Sequence, residues 1–169
     1  MGFLSRRSGG IKTFKTDAMI VHAGDLVEVV GESYYQDALR CVAAIATSPE
    51  PFLDELTGYA RKAAEEDRGE RWFRAALICE PDNKYDCNAI AIYAVGVGEV
   101  GQLSGKVGHL SRDDAIEYQP VFEALSAHDC SVAACPAFLI GGTKEKPSYG
   151  VLLCLSTPER IIADLAETS

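Results

Sequence analysis

The chain is poor in positive charge, with 16 basic against 25 acidic residues, and it has a single tryptophan, three histidines and no long apolar run. No stretch approaches the ~20 apolar residues a membrane helix requires, so no membrane partner is expected. Six cysteines occur (Cys41, Cys79, Cys87, Cys130, Cys135 and Cys154), yet no two form a Cys-x-x-Cys pair. That spacing speaks against zinc, and nothing resembling a secretory leader points to disulfides. Most of them lie in apolar runs, so they are expected to be reduced packing residues of a cytoplasmic protein. The opening Met-Gly-Phe-Leu-Ser-Arg carries arginine at the sixth position, where a myristoylation site needs serine or threonine, and no apolar region follows Arg6-Arg7.

The scarce positive charge is also unevenly placed. Residues 1–16 hold Arg6, Arg7, Lys12 and Lys15 and no acid, so the net charge of −9 leaves −13 on the remainder. That balance argues against a non-specific grip on duplex DNA, which depends on many phosphate contacts. Any nucleic-acid binding must be local and chemically specific.

Signatures of catalysis are missing as well. There is no Gly-x-Ser-x-Gly elbow and no Cys/His pair at an identifiable spacing. Asp82 and Asp86 stand four apart with His109 distant in sequence, a pattern that could hold a divalent ion, but no third acidic ligand accompanies them. The chain reads as non-enzymatic, without cofactor, and a metal-dependent hydrolase remains a lesser alternative.

What is present is organised as a single domain over residues 18–169, preceded by a flexible arm over 1–17. Alternating apolar residues predict strands at 25–31, 71–80, 88–95, 107–111, 130–140 and 149–156. Helices are predicted at 36–46, 51–66, 113–127 and 158–166, with Pro120 expected to kink or split the third. The glycine-rich segment 96–105 lacks the Gly-Lys-Ser/Thr of a phosphate loop and reads as a hairpin connection. Six short strands with one helix between the fourth and fifth predict an α+β fold, a small twisted β-barrel with a helical insertion at about 47–69.

The most informative stretch is Glu80-Pro-Asp-Asn-Lys-Tyr-Asp-Cys-Asn-Ala-Ile90. Asn83, Tyr85, Asp86 and Asn88 fall within six positions between two apolar runs, presenting an aromatic face beside amide and carboxylate groups. Such a loop on a rigid base suits recognition, although Asp and Asn at these positions also suit plain turn chemistry. His109 is either a contact residue or a core histidine. Tyr35, next to Tyr34, is expected to pack, as are Trp72 and Phe73.

With Val30-Gly-Glu-Ser-Tyr-Tyr35 before this stretch and Val107-Gly-His-Leu110 and a helix after it, the sequence resembles the HIRAN domain. That module occurs at the N-terminus of fork-remodelling helicase-like proteins and as stand-alone bacterial and phage proteins. The resemblance covers roughly residues 26–156. It implies an OB-like barrel that captures the 3′-hydroxyl end of single-stranded DNA during repair or replication-fork processing. By motif position, Tyr34 and Tyr85 would stack on the terminal bases and Asp86 would accept the 3′-hydroxyl. Asn83, His109 and Arg112 would contact the terminal nucleotides or their phosphates, and Tyr149 would flank the bases. Two positions depart from the helicase-attached members: Ser33 stands where they carry arginine, and Ser111-Arg112 replaces a doubly basic pair. The alternative on the same fold is an acidic protein-interaction module, docking on a repair or replication protein or mimicking DNA charge.

Overall fold

The computed structural model describes residues 18–98 and 103–168; the arm read over 1–17 and part of the 96–105 connection lie outside the described residues. The strands are β1 (Met19–Ile20), β2 (Leu26–Val30), β3 (Trp72–Cys79), β4 (Ile90–Ala94), β5 (Lys106–Leu110), β6 (Val132–Gly141) and β7 (Tyr149–Cys154). The helices are α1 (Gln36–Ile45), α2 (Gly58–Glu66), α3 (Arg112–Ser126) and α4 (Pro158–Glu167). Strands β6, β3, β4, β5, β2 and β7 pair antiparallel in that order, and β7 returns to β6. The result is the closed, six-stranded OB-like barrel of the predicted α+β class.

Closure follows from the alternation along the strands. On β3, Phe73, Ala75 and Leu77 face a core shared with Ile90, Ile92, Val107, Cys135 and Leu153. That core continues into α1 through Leu39 and Val42, into α3 through Tyr118 and Leu125, and into α4 through Ile161 and Leu165. No helix among the described residues is long and apolar enough to cross a membrane.

Residues of opposite parity on β3 meet different neighbours. Trp72 packs with Phe138 and Cys154 against Phe52, Leu56, Ala60 and Ala64 of the insertion. Polar ties hold that layer. Arg74 makes two 2.5 Å hydrogen bonds to the Glu55 carboxylate, and Trp72 Nε1 donates to Asp67 at 2.7 Å. The insertion therefore covers the β3, β6 and β7 side of the barrel. Further along β3 and on β4, a smaller outer patch of Ala76, Ala91, Tyr93 and Val132 is joined by Ala18 and Ile78.

Four expectations are corrected. A seventh strand, β1, runs parallel to β6 at Ala133–Ala134, on the edge that β7 occupies only from Ala137 onward. Two residues are too few to show a period in sequence. The helix read over 51–66 is a 3₁₀ segment, Glu50–Glu55, followed by α2. It breaks where Leu56 bridges to Ala23 and Gly58 adopts a φ of 54°. Helix α3 is not split at Pro120, which takes an exposed position within one continuous helix. Finally, Cys41 and Cys87 are exposed rather than packed; all six cysteines are free thiols.

Candidate nucleic-acid interface

Strand register decides which loops meet. His109 of β5 pairs with Ala91 of β4 on one side and Val30 of β2 on the other. The loop 80–89 leads into β4, and the turn after Val30 leaves β2. Both loops with sequence-predicted tyrosines thus flank one strand.

That strand is brought close to β2 by a glycine. Gly108 has a φ of 155°, and a Cβ there would lie 2.6 Å from the Val30 carbonyl oxygen and 2.5 Å from Val29 Cγ1. Any side chain would push β5 away from β2, so the glycine of Val-Gly-His-Leu sets the position of His109.

Beside His109, Glu80 is the hub. Its Oε1 bonds His109 Nε2 at 2.8 Å and accepts from Asn83 Nδ2 at 3.1 Å, while its Oε2 accepts from Lys106 Nζ at 2.5 Å. Partial burial pushes the Glu80 carboxyl up, but these three hydrogen bonds and the lysine charge outweigh it and hold it below its ordinary 4.5. Lys106 is 11% exposed at the side chain, so without Glu80 it would be a nearly buried unpaired cation.

Asn83 passes this order to the recognition loop. Its Oδ1 accepts from the amides of Tyr85 (2.9 Å) and Asp86 (3.1 Å). Asp86 Oδ1 in turn accepts from the Asn88 amide at 2.9 Å, and Gln119 of α3 donates to the Asn88 carbonyl at 2.8 Å. Turn chemistry and recognition coexist here. Asp86 spends one carboxylate oxygen on the turn, and its other takes no hydrogen bond among the described residues. Tyr85 projects with 83% of its surface exposed and the Lys84 ammonium 5.3 Å from its ring centre.

The second tyrosine stands on a 3₁₀ turn, Glu32–Tyr34, entered through Gly31 at a φ of 80°. Two side chains fasten this turn to β7. Glu32 Oε2 accepts from the Val151 amide, and Gln36 accepts from the Tyr149 amide while donating to the Tyr149 carbonyl. Strand β2 pairs with β7 only as far as Leu152, so these side chains satisfy the backbone groups that β2 leaves. Tyr34 is 86% exposed and borders an apolar cleft of about 410 Å³ with Tyr35, Asp37, Ala38, Cys41 and Ser104. Tyr35 is half-buried and close to Tyr93. Burial, then Glu80 and Tyr35, push the Tyr93 hydroxyl up to about 12.

Tyr149 is half-buried, and its ring lies over Gly142, where a Cβ would come within 2.2 Å of it. It lines a different cavity, of about 310 Å³, with Ser33 and Lys146. Ser33 and Tyr34 therefore open onto separate clefts, and Tyr149 belongs with Ser33. Arg112 is exposed at the first turn of α3, where Ser111 caps the Asp114 amide at 3.1 Å, and has no ion pair among the described residues.

The structure thus unites Asn83, Tyr85, Asp86 and His109 and sets Tyr34 across β5 from them. Tyr149 lies apart, behind the 3₁₀ turn. Sequence reading missed Glu80, Lys106, Glu32 and Gln36 as organising residues. For Glu80 a signal existed: a carboxylate at the same parity as Ala76 and Ile78 ends the apolar run 75–79. Exposure alone does not mark the site, because Tyr59 on the insertion is 74% exposed. Among the described residues, no three His, Cys, Asp or Glu side chains group as a metal site. No family model, curated protein or solved structure matches the chain.

Proposed function

We propose that the protein is a non-catalytic module of the HIRAN type that captures 3′-hydroxyl ends of single-stranded DNA, in repair or replication-fork processing. One observation carries the reading: Tyr34 and Tyr85, each more than four-fifths exposed, stand on tied turns on either side of β5, with a free carboxylate oxygen of Asp86 beside Tyr85. Exposed aromatic faces bind bases without sequence choice at about 1–3 kcal/mol each. A carboxylate repels internal phosphates but accepts a hydrogen bond from a terminal hydroxyl, so Asp86 reads ends. His109, Asn83 and Arg112 would meet the terminal nucleotides, and Tyr149 with Ser33 the next bases along.

The test is fluorescence anisotropy with short single strands identical except for a 3′-hydroxyl or a 3′-phosphate. The wild type should prefer the hydroxyl. Tyr85→Ala should weaken both by about 1–3 kcal/mol with an unchanged melting temperature. Asp86→Asn, which keeps an oxygen for the Asn88 amide, should erase the preference while preserving the loop. Equal discrimination by Asp86→Asn and wild type would remove Asp86 from the role, and no binding to either strand would leave the acidic surface to a protein partner.

A further inference from the structure

We infer that the site reads the last sugar as well as the end: it binds a strand terminated by ribose more tightly than one terminated by deoxyribose, because His109 Nδ1 accepts the 2′-hydroxyl beside the 3′-hydroxyl taken by Asp86. The inference rests on the reading of Asp86 as the acceptor of a terminal hydroxyl and adds a second acceptor to it.

Glu80 sets the state of the imidazole. Its carboxylate, kept ionised by the hydrogen bonds of Lys106, His109 and Asn83, can only accept. The ring nitrogen 2.8 Å from it, Nε2 of His109, therefore carries the proton. In the neutral ring this makes Nδ1 an acceptor, and Nδ1 has no hydrogen bond among the described residues. No buried polar side-chain atom among them lacks a partner, so Nδ1 is reached by solvent although the His109 side chain is only 24% exposed. The second carboxylate oxygen of Asp86 is open by the same argument.

The polar atoms around these two acceptors are already used. Asn83 Nδ2 and Lys106 Nζ donate to Glu80, and Asn83 Oδ1 accepts from the Tyr85 and Asp86 amides. In strand register His109 stands between Val30 and Ala91, whose side chains carry no polar group to compete for Nδ1. What remains for a ligand is a pair of acceptors joined through three hydrogen bonds: His109 to Glu80, Asn83 to Glu80, and the Asp86 amide to Asn83. A deoxyribose end has one hydroxyl and leaves Nδ1 to water. A ribose end has two on adjacent carbons, and the 2′-hydroxyl is the group by which proteins tell RNA from DNA. One hydrogen bond between neutral groups, exchanged against water, corresponds to about 3- to 10-fold in affinity.

The experiment uses fluorescence anisotropy at pH 8, where imidazole is neutral. The probes are labelled DNA single strands of one sequence ended by a deoxyribonucleotide, a ribonucleotide, a 2′-O-methyl ribonucleotide or a 3′-phosphate, together with the all-RNA strand. Ribose-ended DNA should bind the wild type about 3- to 10-fold more tightly than deoxyribose-ended DNA, and the 2′-O-methyl end should lose that gain. His109→Gln, whose amide nitrogen can still donate to Glu80 but which has no counterpart of Nδ1, should bind the two ends equally. An all-RNA strand bound as tightly as ribose-ended DNA makes RNA ends the ligand; weaker binding makes it DNA ended by a ribonucleotide, and both results support the inference. Equal binding of ribose and deoxyribose ends by the wild type, a 2′-O-methyl end as tight as ribose, or a gain that survives His109→Gln overturns it. If the hydroxyl is still preferred over the 3′-phosphate in those cases, end reading by Asp86 stands alone; no preference for a hydroxyl on any strand defeats both.

Discussion

At the residue scale, Glu80 converts an acidic strand end into a support for two functional loops. Its three partners come from residues three, 26 and 29 positions away. Glu80→Gln should cost about 2 kcal/mol near neutral pH, because it leaves Lys106 nearly buried and unpaired. The carboxyl is held below its ordinary 4.5, so the network contributes fully above that value and its contribution fades as pH falls through the lower folded value. Urea denaturation at several pH values should show the gap between wild type and variant closing below pH 4.5. A gap that is constant with pH would mean that the substitution acts through packing alone. The exposed site residues were legible in sequence because tyrosine, asparagine and aspartate cluster around one loop. Glu80 and Lys106 were not, since their pairing exists only once β3, β4 and β5 are side by side.

At the element scale, the strands were legible because their apolar residues alternate, and the barrel followed from their number and shortness. What escaped was where side chains substitute for backbone. Glu32 and Gln36 read as ordinary polar residues near a helix start, yet they continue the sheet beyond β2. The split of the insertion at Leu56–Thr57 depends on Ala23, more than thirty residues earlier, and no local pattern announces it. The β2–β5 contact is the element most exposed to a single change. Gly108→Ala should destabilise the fold by about 2–3 kcal/mol, since its methyl meets the Val30 backbone carbonyl as well as the Val29 side chain. Thermal melting checks this, and a variant as stable as wild type would show that β5 can shift without cost.

At the scale of the whole molecule, two faces of the barrel have different tasks. The insertion seals β3, β6 and β7 with its own small core, so it neither lines nor covers the site on β4 and β5. In the proposed function the acidic body would keep duplex DNA away and leave selection to stacking and to the hydroxyl. Among the described residues, side chains complete the barrel's hydrogen bonding at the β2–β7 seam. Beyond Leu152 the amides of Tyr149 and Val151 are closed by Gln36 and Glu32, not by a neighbouring strand. Side chains can let go without the sheet unfolding, so these two amides should exchange with deuterium well before those of β3 and β4. Their protection is a clock for the Tyr34 turn: exchange as slow as the central strands would mean a permanently set platform, and fast exchange slowed by a bound strand would mean that the grip is formed on contact.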